Sequence, residues 1–567
     1  MPGADGAKTP VALRASLVAL AVAAAALLAF RWTYEPDLFW HLAQGREIAA
    51  GRLVHTNLFS ATHPEYPQPA TSWLFDLGAF ALWHAGGPTA IQVAQALVVA
   101  LALALAFAAA RTRASLPAAL AVLALGVFVI EPRALPRPHT LSLAGIAACA
   151  LLVERARRRH SAAPLLYAVP LMALWSNLHV ESFFGVLLLA LFATGELVRP
   201  AALPGRQALA AAGVVALAAA ATTVNPYGSG LLRYLWENAS VPSVIRIAEL
   251  QPPYLPNYAP FFAYLVCGTA LLLRRPRRLA LSDGLVFMVF AALALRHLRF
   301  TALFACTTTP VVAAYLAPLV RSRGEGRALV AASVFTGLLL CRLSPAALVA
   351  QVDVGAAALL PPDIIPVGAA AFARKAGLVG PVFNSNNLGG YLVWAGYPDV
   401  RVFQDSRLQA YPTTHFQGIM QAYRSQAAWD ELVAGVDWAV LSRPRPNELS
   451  GAGRFPREQW ATVYWDEAAE VLVRRSGAYA GLLPAFEYTA FVPEVDPMAP
   501  LAADRVARVA AEARRNAREN PLGFAAPAIL CLQDDVASCA AAERLAAEHS
   551  WLRRAAARLR AARATRG

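Results

Sequence analysis

The chain has 567 residues, of which 57% are hydrophobic and only 15% are charged, and its mean hydropathy is +0.45. Because soluble proteins carry about 25% charged residues, this composition excludes an ordinary soluble enzyme and indicates that much of the chain lies in a bilayer. The formal net charge is +14, but most basic residues sit in short loops between apolar runs, where they set membrane topology. No nucleic-acid partner is therefore expected.

The composition changes after residue 351. The residues before it form apolar runs separated by short polar loops, whereas those after it have an ordinary soluble composition. The sequence therefore predicts a transmembrane domain over residues 1–351, with a long first outer loop at 31–87, then a periplasmic α/β domain over 352–497 and a helical basic tail over 498–567.

About eleven apolar runs are long enough to cross a bilayer or nearly so. They occupy residues 11–31, 88–110, 116–130, 139–153, 162–177, 180–198, 207–224, 259–273, 284–297, 300–319 and 327–350. Several are shorter than the usual ~20 residues, so counts of about ten to thirteen spans stay open. The first run is expected to remain as an uncleaved helix rather than a signal peptide, because many more spans follow it.

Arginine is concentrated in every second loop between the apolar runs. The residues are Arg111, Arg113, Arg155, Arg157, Arg158, Arg159, Arg199, Arg206, Arg274, Arg275, Arg277, Arg278, Arg321, Arg323 and Arg327. The positive-inside rule places these loops and the N-terminus in the cytoplasm. With eleven spans the C-terminal region is periplasmic, so we expect a multi-pass protein of the cell inner membrane in contact with membrane lipids.

The two long outer loops differ in character. In the first, residues 73–83 are amphipathic with a Trp at each end, which predicts a short helix lying in the membrane interface. The second, at about 225–258, is rich in Pro, Asn and Gly, which predicts irregular structure lining a cavity.

Acidic residues follow the first apolar run directly. Glu35 and Asp37 stand at a membrane boundary, where carboxylates are costly unless they are hydrated, paired or used in function. If residues 37–41 are helical, Asp37 and His41 share a face. Asp37 can then act as general base toward an acceptor hydroxyl, with His41 orienting or sharing a proton. An ordinary interfacial loop carrying acidic residues is the alternative.

Several Arg and His residues lie in outer loops, where topology gives no reason for them. They are Arg133, Arg137, His139, His179, Arg233, Arg246, Arg296, His297 and Arg299. Guanidinium groups suit phosphate, so cations arriving from four loops predict an anion-binding site. Local pairing of each with an acid or a headgroup is the alternative. Arg296 and Arg299 share a helix face if the helix before them continues.

The C-terminal region begins with alternating strands and helices, which implies a small, mainly parallel sheet. Strands are predicted at 381–384, 400–404, 437–442 and, as a hairpin, at 460–466 and 471–475, and helices at 386–394, 413–424 and 428–434. Asn384–Tyr391 and Gln404–Arg407 follow two of the strands, at the edge where α/β sheets bind ligands. A structural role, such as a helix N-cap at Asn386, is favoured for both.

Two cysteines in the tail, Cys531 and Cys539, flank a predicted turn at Gln533–Asp535. Since the predicted topology places them in an oxidising compartment, and a turn can bring their Cα atoms within bridging distance, they are predicted to form a disulfide. Two unpaired thiols packed between helices are the alternative.

The order of these features resembles the GT-C superfamily of membrane glycosyltransferases, which includes protein O-mannosyltransferases and lipid A aminoarabinose transferases. The shared features are one span, a long outer loop opening with Glu35 and Asp37, an interfacial helix at 72–84, many further spans and a periplasmic C-terminal region. The sequence looks most like a bacterial subgroup that shares the motifs Asp37–Arg46, Trp175–His179, Asn225–Gly228 and Asn384–Tyr391. The resemblance extends to about residue 475, and the tail lies outside it.

The resemblance implies transfer of a sugar from a polyprenyl-phosphate donor to an outward-facing lipid, glycan or protein acceptor. Asp37 matches the superfamily's catalytic acidic position, with Glu35 as the alternative. The familiar Asp-Glu or Asp-x-Asp pair is here Glu35-Pro-Asp37, which leaves the base and any divalent-metal requirement open. The outward Arg and His residues would then stabilise the departing lipid phosphate.

Two other classes of function remain open from the sequence: a lipid-linked glycan translocase and a non-catalytic membrane assembly or scaffold protein. A translocase needs a polar cavity through the full membrane depth, and the inner halves of the apolar runs look too hydrophobic for one. A scaffold would not depend on Asp37. The sequence has no GxGxxG, P-loop, CxxC-pair or HExxH motif, so neither a nucleotide site nor a structural metal site is predicted.

Overall fold

The computed structural model describes residues 35–239, 248–320 (except 275), 359–443 and 452–564 (except 494, 495, 497, 499, 500 and 549–551). These residues form two compact units. The first comprises residues 69–239 and 248–320, and the second joins residues 35–68 to the described residues from 359 onward.

The described chain is mainly helical up to residue 320. In chain order its α-helices are α1 (Asp37–Ala49), α2 (Trp73–Arg111), α3 (Leu116–Ile130), α4 (Pro138–Arg159), α5 (Ala168–Leu178), α6 (Ser182–Val198), α7 (Gly205–Ala221), α8 (Gly230–Ala239), α9 (Ala259–Leu273), α10 (Leu281–Arg296) and α11 (Thr301–Leu316). Every apolar run predicted between residues 88 and 319 coincides with one of these helices. Helix α8 lies in the loop that was predicted to be irregular, and this part of the prediction was wrong.

Helix α2 is two helices joined at a break. Gly86 and Gly87 have non-helical backbone angles, Gly87 with a positive φ of 60°, and Pro88 follows them. Glycine adopts such a conformation without the clash that a Cβ would cause. The break separates the predicted interfacial helix from the apolar run behind it.

Three helical segments in the described residues are long and apolar enough to cross a membrane: Trp73–Arg111, Leu116–Arg133 and Pro138–Arg159. Shorter apolar helices follow at Ala163–Leu178, Ser182–Val198, Gly205–Ala221 and Ala259–Leu273. The apolar runs at 11–31 and 327–350 lie outside the described residues. The number of spans and their orientation therefore stay predictions.

Basic and acidic groups from four helix ends meet at one end of the first unit. Arg113, just after α2, forms ion pairs with Asp283 of α10 at 2.7 Å and with Glu154 of α4 at 3.3 Å. Arg157 of α4 pairs with the same Asp283 at 2.9 Å and with Glu196 of α6 at 3.7 Å. Arg113 and Arg157, which the sequence analysis assigned to cytoplasmic loops, therefore have acidic partners, and the side of the membrane on which they lie stays a prediction.

The second unit is built on a five-stranded sheet with the order β2-β1-β3-β5-β4. Its elements, in chain order from residue 359, are α12 (Val367–Lys375), β1 (Gly380–Asn384), α13 (Asn386–Gly396), β2 (Val400–Val402), α14 (Thr413–Ala422), α15 (Gln426–Leu432), β3 (Trp438–Ser442), β4 (Trp460–Trp465), β5 (Ala469–Arg474), α16 (Leu483–Phe486), α17 (Ala503–Glu519), α18 (Ala525–Cys531), α19 (Val536–Glu548) and α20 (Arg553–Ala564). Strand β1 pairs in parallel with β2 and β3, and β5 runs antiparallel to β3 and β4. The predicted α/β region, its hairpin and the helical tail are all present.

Residues 35–68 belong to the second unit, although the sequence analysis assigned the whole loop 31–87 to the transmembrane domain. The backbone around Ser60 extends the sheet at β2, because Val402 donates to the Phe59 carbonyl at 3.1 Å and Ala61 donates to the Val402 carbonyl at 2.8 Å. On α1, Arg46 donates to the carbonyls of two residues at the C-terminal end of α13, each at 3.1 Å. These long-range hydrogen bonds leave no local sequence signature, which is why the boundary was misplaced.

The tail packs as helical hairpins against the β4–β5 end of the second unit. Asn516 of α17 donates to the Trp465 carbonyl at 2.9 Å, and the Glu512 carboxylate accepts from the Phe491 backbone N–H at 2.7 Å. Cys531 and Cys539 form a disulfide between α18 and α19, with their Cα atoms 4.6 Å apart. The predicted disulfide is therefore confirmed.

Candidate functional site

Helix α1 begins at Asp37, immediately after Pro36. The side chain of Glu35 is buried, and its Oε1 accepts the Asp37 backbone N–H at 3.1 Å. This N–H is among the helix-terminal donors that have no partner within the helix. Glu35 thus has a structural role at the start of α1, while the Asp37 side chain remains partly exposed.

The Asp37 carboxylate is held from within the second unit. Its Oδ1 accepts a hydrogen bond from the hydroxyl of Ser406, a residue 369 positions later in the chain. Ser406 belongs to the Gln404–Arg407 stretch, for which the sequence favoured a structural role. Residues of this stretch do hold neighbouring backbone in place, and Ser406 also contacts Asp37, the candidate base.

His41 lies one turn after Asp37 on α1, as predicted. It is buried, at 4% exposure, and its ring lies against that of Trp40 with centroids 3.5 Å apart. The partly exposed Asp37 carboxylate and the buried His41 imidazole therefore have different surroundings despite their spacing.

The first unit brings together cations from loops that are far apart in sequence. Glu249, in a short 3-10 helix at Ala248–Leu250, accepts from Arg133 at 2.9 Å and from Arg137 at 2.7 Å. Burial alone would raise the pKa of Glu249, but Arg137 and Arg133 reverse that effect and hold it well below its usual range. Glu249 is therefore a carboxylate at neutral pH, and it neutralises part of the predicted cationic site.

A second carboxylate, Glu181, anchors the neighbouring group of cations. Its Oε2 contacts Nδ1 of His139 at 2.8 Å and Nδ1 of His179 at 3.4 Å, and its Oε1 accepts from Arg299 at 3.1 Å. Arg299 also acts electrostatically on Glu249. The predicted cations from three loops do gather, but each contacts a glutamate as well.

Four predicted cations lie apart from this arrangement or outside the described residues. Arg233 of α8 pairs with Glu237 on the same helix at 2.8 Å. Helix α10 ends at Arg296, which is exposed, and His297 is extended, so the predicted continuous helix face shared by Arg296 and Arg299 was wrong. The helix stops because His297 Nδ1 contacts the Leu250 carbonyl at 2.7 Å and the next backbone N–H bonds to Gln251. Arg246 lies outside the described residues.

The first unit contains a cavity of about 190 Å³ between α2 and the start of α4. Its walls are mostly aliphatic, with Leu74, Ile91 and Leu141 among them, and Gln95 and Arg137 are also among the residues around it. An apolar cavity of this kind suits the hydrocarbon part of a ligand.

Two sequence motifs support one wall of this cavity. Asn177, in the Trp175–His179 motif, accepts from the Trp73 indole N–H at 2.6 Å and donates to the Val224 carbonyl at 2.7 Å. Tyr227, in the Asn225–Gly228 motif, accepts the Ala70 N–H at 2.9 Å. Both motifs therefore fix the start of α2, whose first turns line the cavity.

The sequence analysis did not single out Glu249, which is one acid in a long loop, as part of the candidate site. It did single out the Gln404–Arg407 stretch but favoured a structural role, since the contact between Ser406 and Asp37 exists only in the tertiary structure. Within the described ranges, no group of three or more His, Cys, Asp or Glu side chains is arranged to hold a metal ion.

No protein-family model and no curated protein matches the sequence. Among solved structures, the archaeal oligosaccharyltransferase AglB from Archaeoglobus fulgidus, in complex with an inhibitory peptide and a dolichol-phosphate, aligns with a TM-score of 0.55 and 11% identity over 76% of this chain and 69% of that chain. The apo form of the Archaeoglobus fulgidus oligosaccharyltransferase aligns with a TM-score of 0.54, also at 11% identity and with the same coverage. ArnT from Cupriavidus metallidurans bound to undecaprenyl phosphate aligns at 15% identity over 83% of this chain and 99% of that chain, with a TM-score of 0.48.

These neighbours are GT-C superfamily membrane glycosyltransferases, and the similarity to AglB shows that the chain has the fold of that superfamily. The predicted resemblance is confirmed at the level of fold. The apolar helices and this fold together indicate a membrane protein.

Proposed function

We propose that the protein is an integral-membrane glycosyltransferase that transfers a sugar from a polyprenyl-phosphate donor to a lipid, glycan or protein acceptor on the periplasmic side of the inner membrane. The observation that carries the proposal is the partly exposed Asp37 carboxylate, which stands at the first residue of α1 and is held by the Ser406 hydroxyl. A GT-C fold with a carboxylate so placed is suited to activating an acceptor hydroxyl.

In the proposed reaction, Asp37 takes the proton of the acceptor hydroxyl as general base. The acceptor oxygen forms a bond to the anomeric carbon of the sugar while the bond from that carbon to the phosphate oxygen breaks. Polyprenyl phosphate leaves with the bonding electron pair. Glu35 is the weaker candidate for the base, because its buried carboxylate is already used at the start of α1.

The cations of the first unit are proposed to bind the lipid phosphate. Arg133 and Arg137 both contact Glu249, whose side chain is 26% exposed, whereas the Glu181 side chain is 3% exposed. A phosphate can replace Glu249 at the two guanidinium groups with comparable charge-assisted hydrogen bonds. His139, His179 and Arg299 would add to the field that stabilises the departing anion, and exposed Arg296 and His297 remain candidate contacts.

Two further features support a lipid-linked donor. Arg137, which contacts Glu249, is among the residues around the apolar cavity of the first unit, so a site for hydrocarbon lies beside a site for an anion. The neighbouring structures carry dolichol-phosphate in AglB and undecaprenyl phosphate in ArnT. The sugar and the acceptor stay undefined.

The test compares Asp37→Asn with Glu35→Gln in liposomes that contain the purified protein. Radiolabelled undecaprenyl-phosphate sugars are supplied as donors, with a cell-envelope extract as the source of acceptors. Loss of a general base lowers a rate by about 10²–10⁴-fold, so Asp37→Asn should be nearly inactive at normal folding. Glu35→Gln should keep most activity and lose thermal stability.

Full activity of a well-folded Asp37→Asn protein would remove the catalytic role from Asp37. Loss of activity in Glu35→Gln alone would move that role two residues upstream. A scaffold protein would show no donor-dependent transfer in any of the three forms.

A further inference from the structure

Ser406 lies in a short segment that leaves the carboxyl end of β2. The side chain of Asn384, at the end of the adjacent parallel strand β1, fixes this segment: its Nδ2 donates to the Gln404 carbonyl at 2.7 Å and its Oδ1 accepts the Phe403 N–H at 2.9 Å. Gln404 Nε2 in turn donates to the Asn384 carbonyl at 3.2 Å. The backbone on the N-terminal side of Ser406 is thus held by three hydrogen bonds.

The residues on either side of Ser406, Asp405 and Arg407, form an ion pair with each other. The fully buried Arg407 guanidinium donates to both carboxylate oxygens of Asp405, at 2.9 and 2.6 Å, and to the Asn57 side-chain oxygen at 2.7 Å. Asp405 also accepts from the Tyr411 hydroxyl at 3.1 Å. A buried, hydrogen-bonded network of this kind rigidifies the segment that contains it.

The same network holds the loop that carries Asp37. Asn57, which accepts from Arg407, also donates to the Ala410 carbonyl at 2.8 Å. The Arg407 guanidinium carbon lies 5.7 Å from the centre of the Trp40 ring, on the turn of α1 next to Asp37. The loop at 35–68 and the segment at 404–411 are therefore fixed to one another on both sides of the Ser406–Asp37 hydrogen bond.

Two consecutive glycines of α13 allow this arrangement. A Cβ on Gly390 would stand 2.6 Å from the Pro36 carbonyl oxygen, and a Cβ on Gly389 would collide with the Gln404 carbonyl oxygen. One turn of α13 thus packs closely against the backbone of Pro36, which precedes Asp37, and against that of Gln404, which lies two residues before Ser406.

We infer that Ser406 is a positioning residue for the base of the transfer reaction. Its hydroxyl donates to Oδ1 of Asp37 and fixes the orientation of the carboxylate that receives the acceptor's proton. The Asn384–Tyr391 and Gln404–Arg407 stretches are, on this account, the support of the base rather than a separate ligand site. The inference rests on the proposed function and adds to it the residue that orients Asp37.

Ser406→Ala removes the donor, and Ser406→Thr keeps a hydroxyl at the same position. Misplacing a reacting group by about 1 Å can cost 10²-fold in rate, so Ser406→Ala should lower kcat on the order of ten-fold or more without changing KM for the donor. Ser406→Thr should restore most of kcat, and this rescue together with the unchanged KM distinguishes a positioning role from a merely structural one.

The matched control is Ser60→Ala, which removes a buried hydroxyl elsewhere in the second unit. Ser60 Oγ accepts the backbone N–H groups of Thr62 and His63, at 3.1 and 3.0 Å. This control should lower the melting temperature and leave kcat near that of the wild type. If Ser406→Ala does not fold, Ser406→Cys retains the shape and a weaker donor, and it should give an intermediate kcat.

Unchanged kcat in folded Ser406→Ala or Ser406→Cys, with an active wild type, would overturn this inference and leave the proposed function intact. A wild-type protein without donor-dependent transfer would overturn the proposed function and this inference with it.

Discussion

Two histidines of the second unit form a pair away from Asp37. His63 Nε2 and His415 Nδ1 are 3.2 Å apart, and the His415 ring, which is 8% exposed, packs against the rings of Phe403 and Tyr411. Burial first, and the proximity of His63 second, lower the pKa of His415 to about 4, with Asp405 acting in the opposite direction. The folded protein therefore holds this imidazole in its neutral form at physiological pH.

The pair predicts an acid-sensitive second unit. The unfolded chain binds a proton at His415 below its ordinary pKa of about 6.5, whereas the folded chain does so only near 4. Stability is therefore full above pH ~6.5 and falls toward pH 4, by on the order of 3 kcal/mol. Melting temperatures at pH 7.5 and pH 5 measure this effect. His415→Phe keeps a buried ring and should reduce the difference, and an equal acid response in both proteins would contradict the account.

At the residue scale, the sequence pointed to Asp37 as the candidate base because Pro36 sets the start of a helix and an acid at a membrane boundary is unusual. It could not predict the contacts of Ser406 or Glu249. The stretch around Ser406 stood out only by its place at the end of a strand, and Glu249 has no local pattern that distinguishes it from an ordinary loop residue. Both are defined only by partners that lie far away in the sequence, Asp37 for Ser406 and the two arginines for Glu249.

At the element scale, α13 depends on its glycines. A Cβ at Gly390 would meet the Pro36 carbonyl, which is backbone and cannot rotate away. Gly390→Ala should therefore destabilise the second unit by about 1–3 kcal/mol, as overpacking does elsewhere, and lower transfer activity because Pro36 precedes Asp37. Thermal unfolding and the transfer assay measure the two effects.

The control for this change is Gly418→Ala in α14, where an added Cβ meets nothing within 4 Å. Replacing glycine by alanine in a helix interior stabilises it by roughly 0.5–1 kcal/mol. The two variants should thus shift the melting temperature in opposite directions. A Gly390→Ala protein as stable as Gly418→Ala would show that α13 does not need this close approach.

Most elements could be predicted because their signal is local. The strands follow runs of apolar and β-branched residues between turn residues, and the helices after residue 88 follow their hydropathy. The end of α10 could not be predicted, because it is set by hydrogen bonds from residues 297 and 298 to residues 250 and 251. The same holds for residues 35–68, whose partners lie more than three hundred positions away.

At the scale of the whole molecule, the chain enters the second unit twice, with residues 69–320 of the first unit between the two passages. Its orientation in the membrane is predicted from the basic loops. A reporter active only in the periplasm should be active when fused after Pro362 and inactive when fused after Arg277. An active fusion at Arg277 together with a silent one at Pro362 would reverse the orientation and the proposed side of the reaction.

The central claim is transfer of a sugar from a polyprenyl phosphate, and one measurement tests it most directly. Purified protein in liposomes is given a radiolabelled sugar, either as its undecaprenyl-phosphate conjugate or as its nucleotide conjugate. Envelope extract supplies the acceptor, and the experiment is repeated with a panel of sugars. We expect label to move into the acceptor only from the undecaprenyl-phosphate conjugate, with release of undecaprenyl phosphate and with no transfer by Asp37→Asn. Transfer from the nucleotide conjugate alone, or equal transfer by wild type and Asp37→Asn, would contradict the account.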